Sequence, residues 1–169
     1  HAYYDKLNKQ IRLLTDNQIT SSTSNETART TNACQVIAGV KNINGWSSDG
    51  REPGLYVSIA AIKDGNNDNL CAVWHNQTLN KLQYSYKKKA NSTSTTGNNA
   101  ASWSDAIDIF TGGGEYCNIV ADANGGIHIS AYVGGSLKYA YLSSYDATTF
   151  QTCTIDTNSG NNMTMDVAL

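Results

Sequence analysis

The 169-residue chain carries a formal net charge of -2 and a pI ≈ 5.8, so no excess of positive charge steers it to nucleic acid or to an anionic membrane surface. Asn, Ser and Thr together number 52, while charged residues make up only 15%, which describes a surface rich in short hydrogen-bonding side chains. No run approaches the ~18 apolar residues of a membrane span, and the length suits one domain, 1–169, with a core of its own.

The predicted elements are all strands. Residues 1–4 and 11–14 form a first hairpin, and 16–32 an exposed polar loop. A strand over 35–40 is followed by a second loop over 41–54, which holds the only proline, Pro53. The apolar run 55–62 is a strand, 64–69 a tight turn, and 70–74 with 82–86 a second hairpin. Residues 87–102 read as a loop, 106–110 as a strand and Gly112 to Gly114 as a turn. Strand 116–121 closes at a turn over 122–126. The clearest signal comes next: Ile127, Ile129, Ala131 and Val133 alternate with His128, Ser130 and Tyr132, and Leu137, Tyr139 and Tyr141 resume the alternation after Gly134-Gly135. Period-two alternation around a Gly-Gly turn predicts a hairpin. A turn over 143–148, a strand over 150–155, a turn over 156–162 and a last apolar strand over 163–169 complete the chain. No segment shows a sustained 3.6-residue period.

The hairpins repeat, with Tyr4, Trp74 and Tyr132 as the expected equivalents. Around them the chain divides into four-stranded units over 55–110 and 116–155. A third unit, 1–40, lacks its first strand, and 163–169 is a first strand without a unit. About three blade equivalents of a β-propeller follow from this period. The repeat resembles the sialidase-like, Asp-box type of propeller. The residues that carry the likeness are Ala72-Val73-Trp74 with Leu82 to Tyr86, Ile127 to Tyr132 with Leu137 to Leu142, and the turns at Asp64-Gly65-Asn66 and Asp122 to Gly125. Ser144 to Phe150 stands in the place of the family's Asp box, without its Gly. The resemblance implies an all-β propeller with four-stranded antiparallel blades, and it makes a sialidase-like glycoside hydrolase fragment one functional alternative. That family clamps a carboxylate with three arginines and uses a Tyr–Glu nucleophile. Here Arg12 lies on a hairpin, Arg29 and Arg51 lie in loops, and none is on a first strand.

The four cysteines, Cys34, Cys71, Cys117 and Cys153, match no tight zinc spacing. Their even number on such a surface predicts one or two disulfides in an extracellular setting, the alternative being buried thiols. Sequons stand at Asn25, Asn76, Asn91 and Asn162. The chain begins at His1 with neither Met nor signal peptide, and is expected to be a processed or partial product.

Candidate chemistry is sparse. His1, His75 and His128 share no metal-ligand spacing. Asp122, Asp156 and Glu115 flank first strands, where turn chemistry also explains acids. Asp64, Asn66 and Asp68 alternate as calcium ligands can, and the same run serves as a turn. Trp74, Trp103, Tyr139 and Tyr141, with Tyr84 and Tyr86, are candidates for a glycan-stacking platform, the alternative being packing between blades. No nucleophile elbow, phosphate loop or dinucleotide fingerprint is present. The expected function is therefore a non-catalytic extracellular module that self-associates, as an oligomer or filament, with Met163, Met165, Val167 and Leu169 as the assembling strand. A carbohydrate-binding lectin is the alternative.

Overall fold

A computed structural model describes residues 2–5, 10–13, 35–38, 40–42, 45–47, 55–64, 67–87 and 103–157. Among the described residues there are only strands and turns, and no helix is long and apolar enough to cross a membrane. Strands β1 (Ala2–Asp5), β2 (Gln10–Leu13) and β3 (Gln35–Ala38) make a three-stranded first sheet. Strands β4 (Val40–Asn42) and β5 (Gly45–Ser47) form a small hairpin where a loop was expected. The second sheet is β6 (Leu55–Asp64), β7 (Asn67–Asn76), β8 (Lys81–Lys87) and β9 (Ile107–Thr111). The third is β10 (Gly113–Ala121), β11 (Ile127–Val133), β12 (Ser136–Leu142) and β13 (Gln151–Asp156). Each sheet is antiparallel, with its strands in chain order.

The hairpin turns set the registers. Gly134 and Gly135 take φ of 57° and 85°, the positive values that a two-residue hairpin turn needs, so Val133 pairs Ser136. In the second sheet the turn has four residues and Asn76 pairs Lys81. Aligned on these closing pairs, Leu82 matches Leu137 and Ile11 matches both. The hairpin equivalents are therefore Tyr4, His75 and Tyr132. Trp74 is one place out, because the longer turn shifts the apparent alignment by one residue.

Opposed residues of an antiparallel pair share a face, which assigns both sides of every sheet. In the second sheet Cys71, Val73, Leu82 and Tyr84 look one way, and Ala72 and Trp74 the other. The first set joins Ile119, Ile127, Ile129, Ala131, Val133, Ala140 and Leu142 in one core between the second and third sheets. Ala72 and Trp74 join Ile11 and Trp103 in a second core toward the first sheet. The sheets thus stack first, second, third, and all face the same way. The face that bears Ile11 meets the back of the second sheet, and the face that bears Leu82 meets the back of the third. Lys138, on that back, lies 5.3 Å from the Phe110 ring centroid. Gly114 permits the close approach of β10 to β8, since a Cβ there would lie 3.1 Å from Leu82.

Several expectations change. The apolar strand residues Leu55, Val57, Ile59, Ile119, Val120, Ile127, Ile129, Leu137 and Met165 are the core that the strand pattern predicts; Ile119, Ile127 and Ile129 are buried, but Val57, Ile59, Val120 and Leu137 are only half-buried. Val57 and Ile59 face the smaller first sheet, while Val120 and Leu137 lie on the face of the third sheet that, among the described residues, no other sheet covers. The side chain of Leu55 and all of Met165 lie outside the described residues. Strands β6 and β7 run further than expected, so Asp64 pairs Asn67 and Asp68 pairs Lys63, while Asn66 is outside the described set. Cys71, Cys117 and Cys153 are free thiols where disulfides were expected; the Cys71 sulfur is turned to the Tyr84 hydroxyl and the Cys117 sulfur to the Tyr56 carbonyl, so neither buried thiol faces another cysteine. Cys34 lies outside the described residues.

Candidate functional site

The third sheet's uncovered face holds a groove of about 500 Å³ lined by Asp122, His128, Tyr139, Tyr141, Gln151, Thr152 and Cys153. The Gly134-Gly135 turn dictates this array. It places His128 opposite Tyr141 and Ser130 opposite Tyr139, and β13 adds Gln151 beside Tyr141 and Cys153 beside Tyr139.

Asp122 is built into the turn after β10. Its Oδ1 accepts the main-chain N–H groups of Asn124 at 2.7 Å and Gly126 at 2.8 Å, which aims Oδ2 at His128 Nε2, 3.1 Å away. The other imidazole nitrogen, Nδ1, lies 2.6 Å from the Tyr139 hydroxyl. With Asp122 ionised and His128 neutral, Nε2–H donates to the carboxylate and Nδ1 accepts the tyrosine proton. The result is a chain from carboxylate to imidazole to phenol. The hydrogen bond from His128, and then those from Gly126 and Asn124, hold the Asp122 carboxyl below the usual carboxylate range. Desolvation first, then the charges of Cys153, Tyr141 and Asp122, push the Tyr139 phenol up. Tyr139 is thus a proton donor and Asp122 an anion. Gly126 makes room for both sides of the groove, since a Cβ there would lie 2.5 Å from Asp122 Oδ2 and 2.9 Å from Tyr141 Cε2.

Chemically, the lining can bind. Among the described residues that line the groove Asp122 is the only carboxylate, whereas glycoside hydrolysis uses two about 5–10 Å apart. Of the expected stacking residues, Tyr139 and Tyr141 are here together. Trp74 and Trp103 are not; they are 1% and 3% exposed in the core between the first and second sheets. Met163, Val167 and Leu169, like Met165, lie outside the described residues.

The Asp122–His128–Tyr139 chain is legible in sequence only once the hairpin register is read off its two-residue turn. A second feature also escapes alternation. Tyr56 and Tyr116 follow Gly54-Leu55 and Gly114-Glu115, each beside a register shift, with φ of 58° and 51°. Bulges re-aim side chains, and here the two rings meet at 4.8 Å between centroids while the Cys117 thiol donates to the Tyr56 carbonyl at 2.5 Å.

No protein-family model matches the chain, and no curated protein matches its sequence.

Proposed function

We propose that this chain is a non-catalytic, extracellular module of sialidase-like β-propeller blades that works by associating with itself. In this reading the segment 163–169 of one copy supplies the first strand of the three-stranded sheet of the next. The observation that carries it is strand number. Among the described residues the second and third sheets have four strands and the first has three, and β1–β2–β3 correspond in register to the last three of the others. The sequence adds support. Asp166-Val167-Ala168 repeats the order of polar, β-branched and apolar residues in Ser58-Ile59-Ala60 of β6 and Asn118-Ile119-Val120 of β10. A surface rich in Asn, Ser and Thr suits an extracellular setting. Two copies exchanging strands would close about six blades, within the four to eight of known propellers, and an exchange that does not close would give a filament. Removing residues 163–169 should reduce the assembly to monomers, and the free 163–169 peptide should compete with assembly of the intact chain. An assembly indifferent to both would refute the reading.

The groove favours a second reading, carbohydrate binding. Tyr139 and Tyr141 offer ring faces, and Asp122 and Gln151 offer polar groups, in a cavity the size of a small-molecule site. A glycan array probed with the chain lacking 163–169 tests it, and the absence of any bound glycan would end it.

A further inference from the structure

The sheets that are covered show what the uncovered face is built to receive. Leu82, Tyr84 and Tyr86 of β8 correspond to Leu137, Tyr139 and Tyr141 of β12, and Cys71 corresponds to His128. In the second sheet this face is sealed by the third, and Leu82 and Tyr84 are both 0% exposed. Leu82 is closed by β10 at Gly114, and the tyrosines by the segment between β12 and β13. Phe150 packs edge-on to Tyr84 with centroids 5.7 Å apart, and Tyr145 packs on Tyr86 at 5.9 Å. The Tyr84 hydroxyl lies 2.5 Å from the Tyr145 carbonyl and 3.0 Å from Cys71 Sγ. A phenol has one proton. It goes to the carbonyl, and the Cys71 thiol donates to the phenol oxygen.

On the third sheet the same positions are half-buried, and His128, Tyr139 and Tyr141 open onto the groove. We propose that this face, through Leu137, Tyr139 and Tyr141, docks the first sheet of a second copy of this chain, with the Tyr139 hydroxyl donating to a main-chain carbonyl of that copy. The occupant follows from continuity. The first and second sheets each turn this face onto the back of the next sheet, and the back of the first sheet is the other end of the stack. The inference rests on the assembly reading, since a first strand supplied by 163–169 would bring the partner's first sheet to this position.

The proton count gives the docking a signature. While His128 is neutral its Nδ1 holds the Tyr139 proton. Once His128 carries both protons, Nε2–H still faces Asp122, Nδ1–H donates to the tyrosine oxygen, and the hydroxyl proton is free for the partner carbonyl. The groups that line this groove beside the imidazole are Asp122 from the β10–β11 turn, Tyr139 and Tyr141 from β12, and Cys153 from β13. Donation to the partner carbonyl therefore goes with an imidazole that carries both protons, its Nδ1–H turned to the tyrosine oxygen.

Sedimentation of the intact chain at about pH 8 and pH 6, together with maleimide labelling of Cys153 read by peptide mapping, tests this. Tyr139→Phe should weaken association about three- to tenfold and flatten its pH dependence. Tyr141→Arg should leave monomers, and Cys153 should label slowly in the assembly and fast in that variant. Circular dichroism shows whether Tyr141→Arg folds; if it does not, Tyr139→Phe and the Cys153 rate decide. If the intact chain associates while Tyr139→Phe associates equally well with an unchanged pH profile and Cys153 labels freely, this docking face is wrong and strand completion stands. If the intact chain is monomeric, both fail.

Discussion

Replacing Gly126 with Ala should disconnect Asp122 from His128 without disturbing the hairpin. The added Cβ would lie 2.5 Å from Asp122 Oδ2, 2.9 Å from Tyr141 Cε2 and 3.0 Å from its hydroxyl. Ordinary contact begins at 3.4 Å, so the carboxylate must retreat by about 0.9 Å. Its other oxygen is pinned by two N–H groups, and Tyr141 is held between His128 and Gln151 in the ladder. Neither side yields freely. Forced overpacking costs ~1–3 kcal/mol, and a net loss within that range is expected. The assay is urea unfolding with the His128 ring followed by NMR. Gly125→Ala is the control, because φ there is 85° with open space around the Cβ position. It should cost about 1–2 kcal/mol in backbone strain and leave the His128 signals in place. A loss below ~0.5 kcal/mol for Gly126→Ala, with unchanged His128 signals, would refute the geometry.

Ile129 is 0% exposed between the second and third sheets, so Ile129→Ala should cost ~2–5 kcal/mol in the same unfolding assay, and a loss under ~1 kcal/mol would contradict that core. Burial pushes the Cys71 and Cys117 thiols up to about 12. In the dissociated chain maleimide should therefore modify Cys153 and spare these two until the protein unfolds, and rapid native modification of either would contradict the packing. Asp122 has a depressed pKa, so its stabilising contribution is present above the unfolded carboxylate value of ~3.9 and is lost as pH falls through the folded value. Asp122→Asn should remove that acid-side loss of urea stability, and identical pH profiles for the two proteins would count against the His128 contact.

The strands were legible because alternation and glycine turns report local geometry. Gly134-Gly135 alone fixes the whole β11–β12 register. What alternation cannot report is which face finds a partner. Trp74 and Tyr141 look alike in sequence, yet the second sheet is covered on both faces and the third, among the described residues, on one. This is why Trp74 is core and Tyr141 lines a groove. The β4–β5 hairpin was hidden by the polar, glycine-containing composition of Lys41-Asn42 and Gly45-Trp46-Ser47, which also suits a loop. Asp122 and His128 were each visible, but as a turn acid and a lone imidazole. Their contact depends on Gly126, whose role is the absence of a side chain.

The claim that bears most weight is association of the chain with itself, and its most direct measurement is the molar mass of the intact chain by light scattering at micromolar concentration. One chain is 18.2 kDa. Strand exchange predicts a mass of about twice that value, or a filament that grows with concentration. A stable 18.2 kDa monomer across that range would contradict it.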